Sequence, residues 1–218
     1  MIPSRILTFA DDFKKLFSAF LRKHASMTLA ECQPLAEQGH ADAQCNLGLI
    51  YSSGQGGVPQ DYAAAITWFT AAAEQEFAAA QNNLGAMYDN GQGVTQDYET
   101  AIKWYSAAAE QEFAVAQNNL GAMYHKGHGV PQDYEAAIKW YTAAAEQGVA
   151  DAQINLGLMY VQGQGVPKDC VRAHMWWNLA AAHKHKDAAH NLKIVTKMMT
   201  APQIREAQKL ARQWAEKH

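Results

Sequence analysis

Apolar residues in the stretch 114–149, AVAQNNLGAMYHKGHGVPQDYEAAIKWYTAAAEQGV, recur at three- and four-residue intervals in two runs separated by a glycine-rich break. In the first run Ala116, Leu120, Met123 and Tyr124 share one face of a helix; in the second, Ala137, Trp140, Tyr141 and Ala144 do the same. The break, Gly127-His128-Gly129, stops the first helix. Asp133 then stands where an N-cap belongs, its carboxylate able to accept the orphan amides of the next helix, and Glu135 adds negative charge in the first turn, where the helix dipole favours it. Gly121 interrupts the first helix at a cost of about 1 kcal/mol relative to alanine, which predicts a point of close approach by a neighbouring element.

This helix-turn-helix unit repeats. Asn-Leu-Gly recurs at 46–48, 83–85, 119–121 and 155–157, and Trp68, Trp104, Trp140 and Trp176 follow at a constant spacing of 36 residues. A fixed period of that length predicts an all-α fold, an α/α solenoid of stacked helix pairs. The units run 41–77, 78–113, 114–149 and 150–185. Leu47 to Leu84 spans 37 residues while the tryptophan spacing holds at 36, so the first unit carries one extra residue, placed most economically in the exposed loop Gly54-Gln55-Gly56-Gly57. Residues 26–40 read as an N-terminal half-repeat: a helix begins at Ser26 or Thr28, is bent by Pro34 and closes at Gly39. Residues 186–218 keep Asp187, Ala188, Asn191 and Leu192 in phase, lose the Gly-x-Gly loop, and end in a helix with Pro202 in its first turn and Ile204, Ala207, Leu210, Ala211 and Trp214 inward: a terminal cap. Ahead of the array, 1–25 predicts an amphipathic helix with Phe9, Phe13, Leu16, Phe17 and Phe20 in a stripe. Self-capping of the first repeat is the favoured fate; docking in a neighbouring molecule's groove and binding a partner or membrane are the alternatives.

Composition narrows the function. A net charge of −3 and a pI near 6.3 give no footprint for nucleic acid or an anionic membrane. Cys32, Cys45 and Cys170 form neither an even disulfide framework nor a Cys-x-x-Cys ligand pair, and fit small buried or half-buried thiols in a reducing compartment. No run of about 20 apolar residues is present to span a membrane. Asp11, Asp12, Lys14 and Lys15 break the apolar N-terminal stretch a secretory signal needs. A cytoplasmic protein is expected, although a periplasmic or secreted chain that had lost its signal would read the same.

No catalytic constellation assembles: Gly-x-Ser-x-Gly, a phosphate-binding loop with Lys-Ser/Thr, and His-Glu-x-x-His are all lacking. The Gly-x-Gly loops read as connectors. His125, His128, His174, His183, His185 and His190 read as solvated polar residues, since His183 and His185, two apart, cannot share a helical face. The aromatic pairs Trp68-Phe69, Trp104-Tyr105, Trp140-Tyr141 and Trp176-Trp177 read as core between repeats rather than a stacking platform. No enzyme activity, cofactor or metal is expected.

Ala-x-x-x-Asn-Leu-Gly-x-x-Tyr, the Gly-x-Gly-Val-Pro loop, Asp-Tyr at the second helix, Trp-Tyr or Trp-Phe, and Ala-Ala-Glu-Gln together resemble the Sel-one-like repeat of the tetratricopeptide-repeat superfamily over about residues 28–218. The resemblance implies a right-handed superhelix acting as a scaffold or adaptor in a bacterial cell, with a protein or peptide partner in a concave groove lined by the first helices. It also implies which positions face that groove: Cys45, Leu49, Ser52 and Ser53; Asn82, Ala86, Asp89 and Asn90; Asn118, Ala122, His125 and Lys126; Ile154, Leu158, Val161 and Gln162. These change between near-identical units while core letters stay, as indifferent surface or tuned recognition would. The chain is then a monomer or weak homo-oligomer. A small-ligand or cell-wall-fragment binder with weak hydrolase-like relatives, and an immunity protein blocking a toxin, are the other readings. Family units usually close the second helix with glycine, as at Gly39 and Gly148; Glu76 and Glu112 stand there instead, which puts a left-handed cap in doubt at both junctions.

Overall fold

A computed structural model describes residues 28–217. The predicted N-terminal stripe, 1–25, lies outside the described residues. Eleven helices follow in order: α1 (Leu29–Glu37), α2 (Ala41–Ser53), α3 (Tyr62–Ala73), α4 (Ala78–Asn90), α5 (Tyr98–Glu110), α6 (Ala114–Lys126), α7 (Tyr134–Glu146), α8 (Ala150–Gln162), α9 (Cys170–Ala182), α10 (Lys186–Thr196) and α11 (Ala201–Ala215). The fold is all-α, a helical repeat array, and the described residues divide into two compact units, 28–116 and 117–217.

Local chemistry sets the helix ends as the sequence predicts. Asp61, Asp97, Asp133 and Asp169 cap the second helices, accepting the backbone N–H of Ala64 at 3.0 Å, Thr100 at 3.1 Å, Ala136 at 2.9 Å and Arg172 at 2.9 Å. The first helices stop at Gly54, Gly91, Gly127 and Gly163, each at positive φ. In the first loop Gly54, Gly56 and Gly57 all take positive φ, against Gly91 and Gly93 in the second, which places the extra residue where the spacing put it. Thr28 opens α1 by a reciprocal capping box with Glu31. At the other end Thr200 donates its backbone N–H to Gln203 Oε1 at 2.8 Å.

Helix pairs pack through the glycine of Asn-Leu-Gly. A Cβ on Gly121 would meet Tyr141 Cδ1 at 2.7 Å and Cε1 at 2.9 Å; one on Gly85 would meet Tyr105 Cδ1 at 2.8 Å; Gly48 faces Phe69 and Gly157 faces Trp177 in the same way. In unit 28–116 the core gathers Cys45, Leu49, Ala65, Phe69, Ala72, Ala80, Leu84 and Met87. In 117–217 one cluster joins Tyr141, Leu156, Met159 and Trp176, and another joins Ile154, Leu158, Trp177 and Val195. In the cap, Ala207 and Ala211 are buried, and the Trp214 ring meets Trp176 edge-on with centroids 6.1 Å apart.

Two expectations change. Phe69, Tyr105, Tyr141 and Trp177 are the rings fully buried, whereas Trp68, Trp104 and Trp140 are half-buried and Trp176 alone of its set is buried. Consecutive residues on a helix diverge by 100°, so only one of each aromatic pair can point at the glycine. The left-handed cap also survives the loss of glycine: Glu76, Glu112 and Lys184 take φ of 61°, 60° and 61°. The turn is fixed by its hydrogen bonds, Glu76 N–H to Ala73 O at 3.0 Å and Phe77 N–H to Ala72 O at 3.2 Å, as at Gly148 and Val149.

Two stability outcomes are expected, both read by urea unfolding. Gly121→Ala destabilises by about 1–3 kcal/mol, because overpacking against the Tyr141 ring outweighs a helix-propensity gain of about 1 kcal/mol. Tyr105→Ala costs about 3–5 kcal/mol, and Trp104→Ala, losing a half-buried ring, costs about half as much. Equal losses would return Trp104 to the core.

Candidate functional site

The predicted groove positions divide by burial. In unit 28–116, Cys45, Leu49, Ser52 and Asn82 are buried, Asp89 is half-buried and Asn90 is exposed. In unit 117–217, Asn118, His125, Ile154 and Leu158 are buried, Gln162 is half-buried and Lys126 is exposed. Cys45, Leu49, Ile154 and Leu158 belong to the core clusters and offer a partner no apolar edge. Positions near the start of a first helix are covered by the next repeat; those in its last turn, Asp89, Asn90, Lys126 and Gln162, reach solvent.

The buried polar members have structural work. Asn155 Nδ2 donates to Asn118 Oδ1 at 3.1 Å, and Asn83 Nδ2 lies 3.9 Å from Cys45 Sγ. At these two positions the residue before Asn-Leu-Gly receives the asparagine of the following repeat. Ser52 Oγ donates to Leu49 O at 3.0 Å. Burial pushes the Cys45 thiol up to about 12, so it stays protonated and is no nucleophile. Burial also raises the Cys32 thiol, with Glu31 and Asp42 adding to it.

A second polar ladder escaped the sequence reading. Gln75, Gln111 and Gln147 donate through Nε2 to Gln44, Gln81 and Gln117 Oε1 at 2.7, 2.8 and 2.9 Å. Gln44 and Gln81 pass the chain on to Ala36 O and Ala73 O at 3.2 Å. The signal was present, since glutamine recurs at both phases in step with the period. In the fourth repeat His183 replaces the donor, and Gln153 Oε1 is buried without a hydrogen bond.

The histidines correct the expectation of solvated side chains. His183 and His190 are exposed, but His125 and His174 are buried, and His185 Nε2 lies 3.1 Å from Asp151 Oδ1. The His125 ring meets Tyr134 edge-on at 5.3 Å and Tyr141 at 6.3 Å. Burial, with Lys126 alongside, lowers its pKa to about 4, and burial lowers that of His174. One repeat earlier Asp89 occupies the His125 position and accepts the Tyr105 hydroxyl at 3.4 Å. Burial first, and then Asp89, raises the Tyr105 phenol well above its usual value. Among the described residues no three of His, Cys, Asp and Glu converge as metal ligands, and no helix is long and apolar enough to cross a membrane.

Residues 41–77, 78–113, 114–149 and 150–185 each match the Sel1 repeat. Among solved structures, c5321, a protective antigen of uropathogenic Escherichia coli strains displaying an SLR fold, is 38% identical over 86% of this chain, with a TM-score of 0.82. This chain spans only 40% of that antigen's length. A Sel1 repeat protein from Oxalobacter formigenes is 33% identical, covering 87% of this chain and 78% of its own, with a TM-score of 0.73. A putative sel1 repeat protein from Klebsiella pneumoniae shares the fold at 21% identity and a TM-score of 0.52, over 77% of this chain and 83% of its own. No curated protein matches the chain.

The lowered His125 pKa has a defined sign. The unfolded chain takes up a proton near pH 6.5 and the folded chain only near 4, so stability falls as pH drops through that window. His125→Val, which installs the residue found at the equivalent position 161, removes this increment. Urea unfolding at pH 7 and pH 4.5 is expected to show the wild type losing about 1–3 kcal/mol more than the variant; equal losses would mean His125 is solvated.

Proposed function

The chain belongs to the Sel1 repeat family, and on that premise we propose that it is a protein-interaction module whose partner docks along the last turns of the first helices. Sel1 repeats generally mediate protein–protein interaction. The contact residues are Asp89 and Asn90 in unit 28–116 and, as a separate patch, Lys126 and Gln162 in unit 117–217. Burial carries this reading: of the sixteen positions nominated from the sequence, only these four, Ser53 and Val161 are not buried, and Ser53 gives its hydroxyl to Leu49 O while Val161 packs on the core. They also change from unit to unit, as Asp89-Asn90, His125-Lys126 and Val161-Gln162, while the Asn-Leu-Gly and ring positions beneath them hold.

Within each patch the chemistry suits a peptide backbone beside a charged side chain. The amides of Asn90 and Gln162 can bond a peptide backbone, Asp89 suits a cation and Lys126 an anion. Buried Asn82, Asn118 and His125 support the recognition helices from beneath rather than touching the partner.

The test is capture of a partner from the source cell by the tagged chain, identified by mass spectrometry, with the triple variant Asn90→Arg, Lys126→Glu, Gln162→Lys alongside. The variant is expected to bind the captured protein about tenfold or more weakly, with a thermal midpoint within about 2 °C of wild type, since surface substitutions of this kind change stability little. Undiminished affinity would place recognition elsewhere.

A further inference from the structure

The overall charge of −3 conceals a strong polarity. Between residues 28 and 116 eleven carboxylates stand against a single base, Lys103; between 184 and 217 eight lysines and arginines stand against Asp187, Glu206 and Glu216. The carboxylates of the first unit include Glu74, Glu76 and Glu110 at the turns that follow α3 and α5, all exposed. The bases of the second lie on the terminal helices. Lys193 and Lys197 are on and just after α10. Arg205, Lys209 and Arg212, four and three residues apart, form one stripe on α11 opposite the face that buries Ala207 and Ala211.

None of these eight charged side chains makes an ion pair among the described residues. Beside Lys197, Met198 is 61% exposed, the one large apolar side chain left in water among the described residues. Among the described residues, this basic helical face and the apolar side chain at its margin are uncovered. Methionine and arginine are enriched at protein interfaces, where lysine and glutamate gather at the rim.

We propose that the outer face of α10–α11 docks on the acidic turns of unit 28–116 of a second copy of this chain. Charge complementarity selects the occupant: the chain itself carries the acidic surface that this basic face fits. A polyanion would meet the same basic face but would be repelled by the eleven carboxylates elsewhere on the molecule. Two different surfaces meet, so the contact is heterologous and can extend beyond a dimer. It is weak and salt-sensitive, because exposed charges attract over a screening length of about 20 Å at 20 mM salt and about 6 Å at 300 mM. This proposal is independent of the partner site on the first helices.

The experiment is sedimentation velocity on the full chain from about 5 to 200 µM, at about 20 and 300 mM salt. The weight-average sedimentation coefficient is expected to rise with concentration at low salt and stay flat at high salt. Two charge-reversed variants accompany it: Glu74→Lys, Glu76→Lys, Glu110→Lys on the acidic turns, and Lys193→Glu, Lys209→Glu, Arg212→Glu on the cap. Lysine already occupies the left-handed position at 184, so the turn accepts it. Each variant alone is expected to stay monomeric with an unchanged thermal midpoint, and an equimolar mixture of the two to associate again, since the two reversed surfaces are complementary. Concentration-independent wild type at low salt, or association that persists in both variants, overturns the proposal. Retention of wild type but not of the cap variant on duplex DNA, without self-association, would assign the basic face to a polyanion and overturn it equally.

Discussion

Phe69, Tyr105, Tyr141 and Trp177 lie against Gly48, Gly85, Gly121 and Gly157 so closely that no Cβ fits between ring and backbone. Each glycine costs its helix about 1 kcal/mol, and each buried ring returns several. That exchange fixes how near the two helices of a repeat approach and at what register, and the rest of the unit inherits both. The alanines at 65, 72, 101, 108, 137, 144, 173 and 180 follow from it, since helices brought together at a glycine leave no room for larger side chains. The contact accepts three kinds of ring because the slot is a flat backbone surface. What changes is the polar tip. Phe69 needs no partner, Tyr105 donates to Asp89, and Trp177 donates through Nε1 to Ile154 O at 3.0 Å. A position that looks like free surface, Asp89, is therefore partly tied to the ring beneath it.

Amide side chains join the two helices of a repeat, glutamine to glutamine, and within each unit tie one repeat to the next. The glutamine ladder and the asparagine bonds satisfy buried polar groups that apolar packing alone would strand, and each such bond contributes only about 1 kcal/mol net while its loss strands a partner. Both ladders fail at the joint to the cap. His183 replaces the glutamine donor, leaving Gln153 Oε1 buried without a bond; Ile154 stands where Asn118 accepts one repeat earlier, and Asn191 Oδ1 is also buried without a bond. The His185–Asp151 contact and the Trp214–Trp176 rings hold this end instead. Specificity of stacking thus passes from amides to an ionisable pair and an aromatic pair at the point where the repeat sequence itself decays.

The period, the helix caps and the glycine contact were legible because each rests on a residue with a distinctive physical role: aspartate at the N-cap, glycine at positive φ, glycine where backbone meets ring. The extra residue of the first loop could be placed by counting. Two readings failed where a residue's role depends on its neighbours. Trp104 and Tyr105 are both large and aromatic, and the period cannot say which faces the glycine. Glu76 and Glu112 lacked the glycine signature, yet the turn persists because Phe77 and Phe113 continue into the next repeat and the backbone bonds close behind them. The candidate site fared worse. Spacing gives a helical phase, but whether a residue at that phase meets solvent or the next repeat is a matter of stacking distance, which spacing does not encode. Cys45, Asn82, Asn118 and Ile154 accordingly lie beneath the surface and Lys126 upon it.

The same constraint explains where such an array is free to vary. Ring, glycine, alanine and amide positions are each held by a contact within the stack, so substitution there is felt through packing or a stranded hydrogen bond. The final residues of the first helices escape, Asn90, Lys126 and Gln162 among them, because the chain is about to leave through a left-handed glycine, while Ser52 and His125 in the same turns stay buried. The second-helix termini escape for a similar reason, since the closing turn is held by backbone bonds and its side chains are exposed. Charge can therefore accumulate at Glu74, Glu76 and Glu110 and invert at Lys184 and Lys186 without disturbing the helices. The two surfaces proposed for recognition are accordingly these two kinds of helix end, whose side chains contribute little to stability.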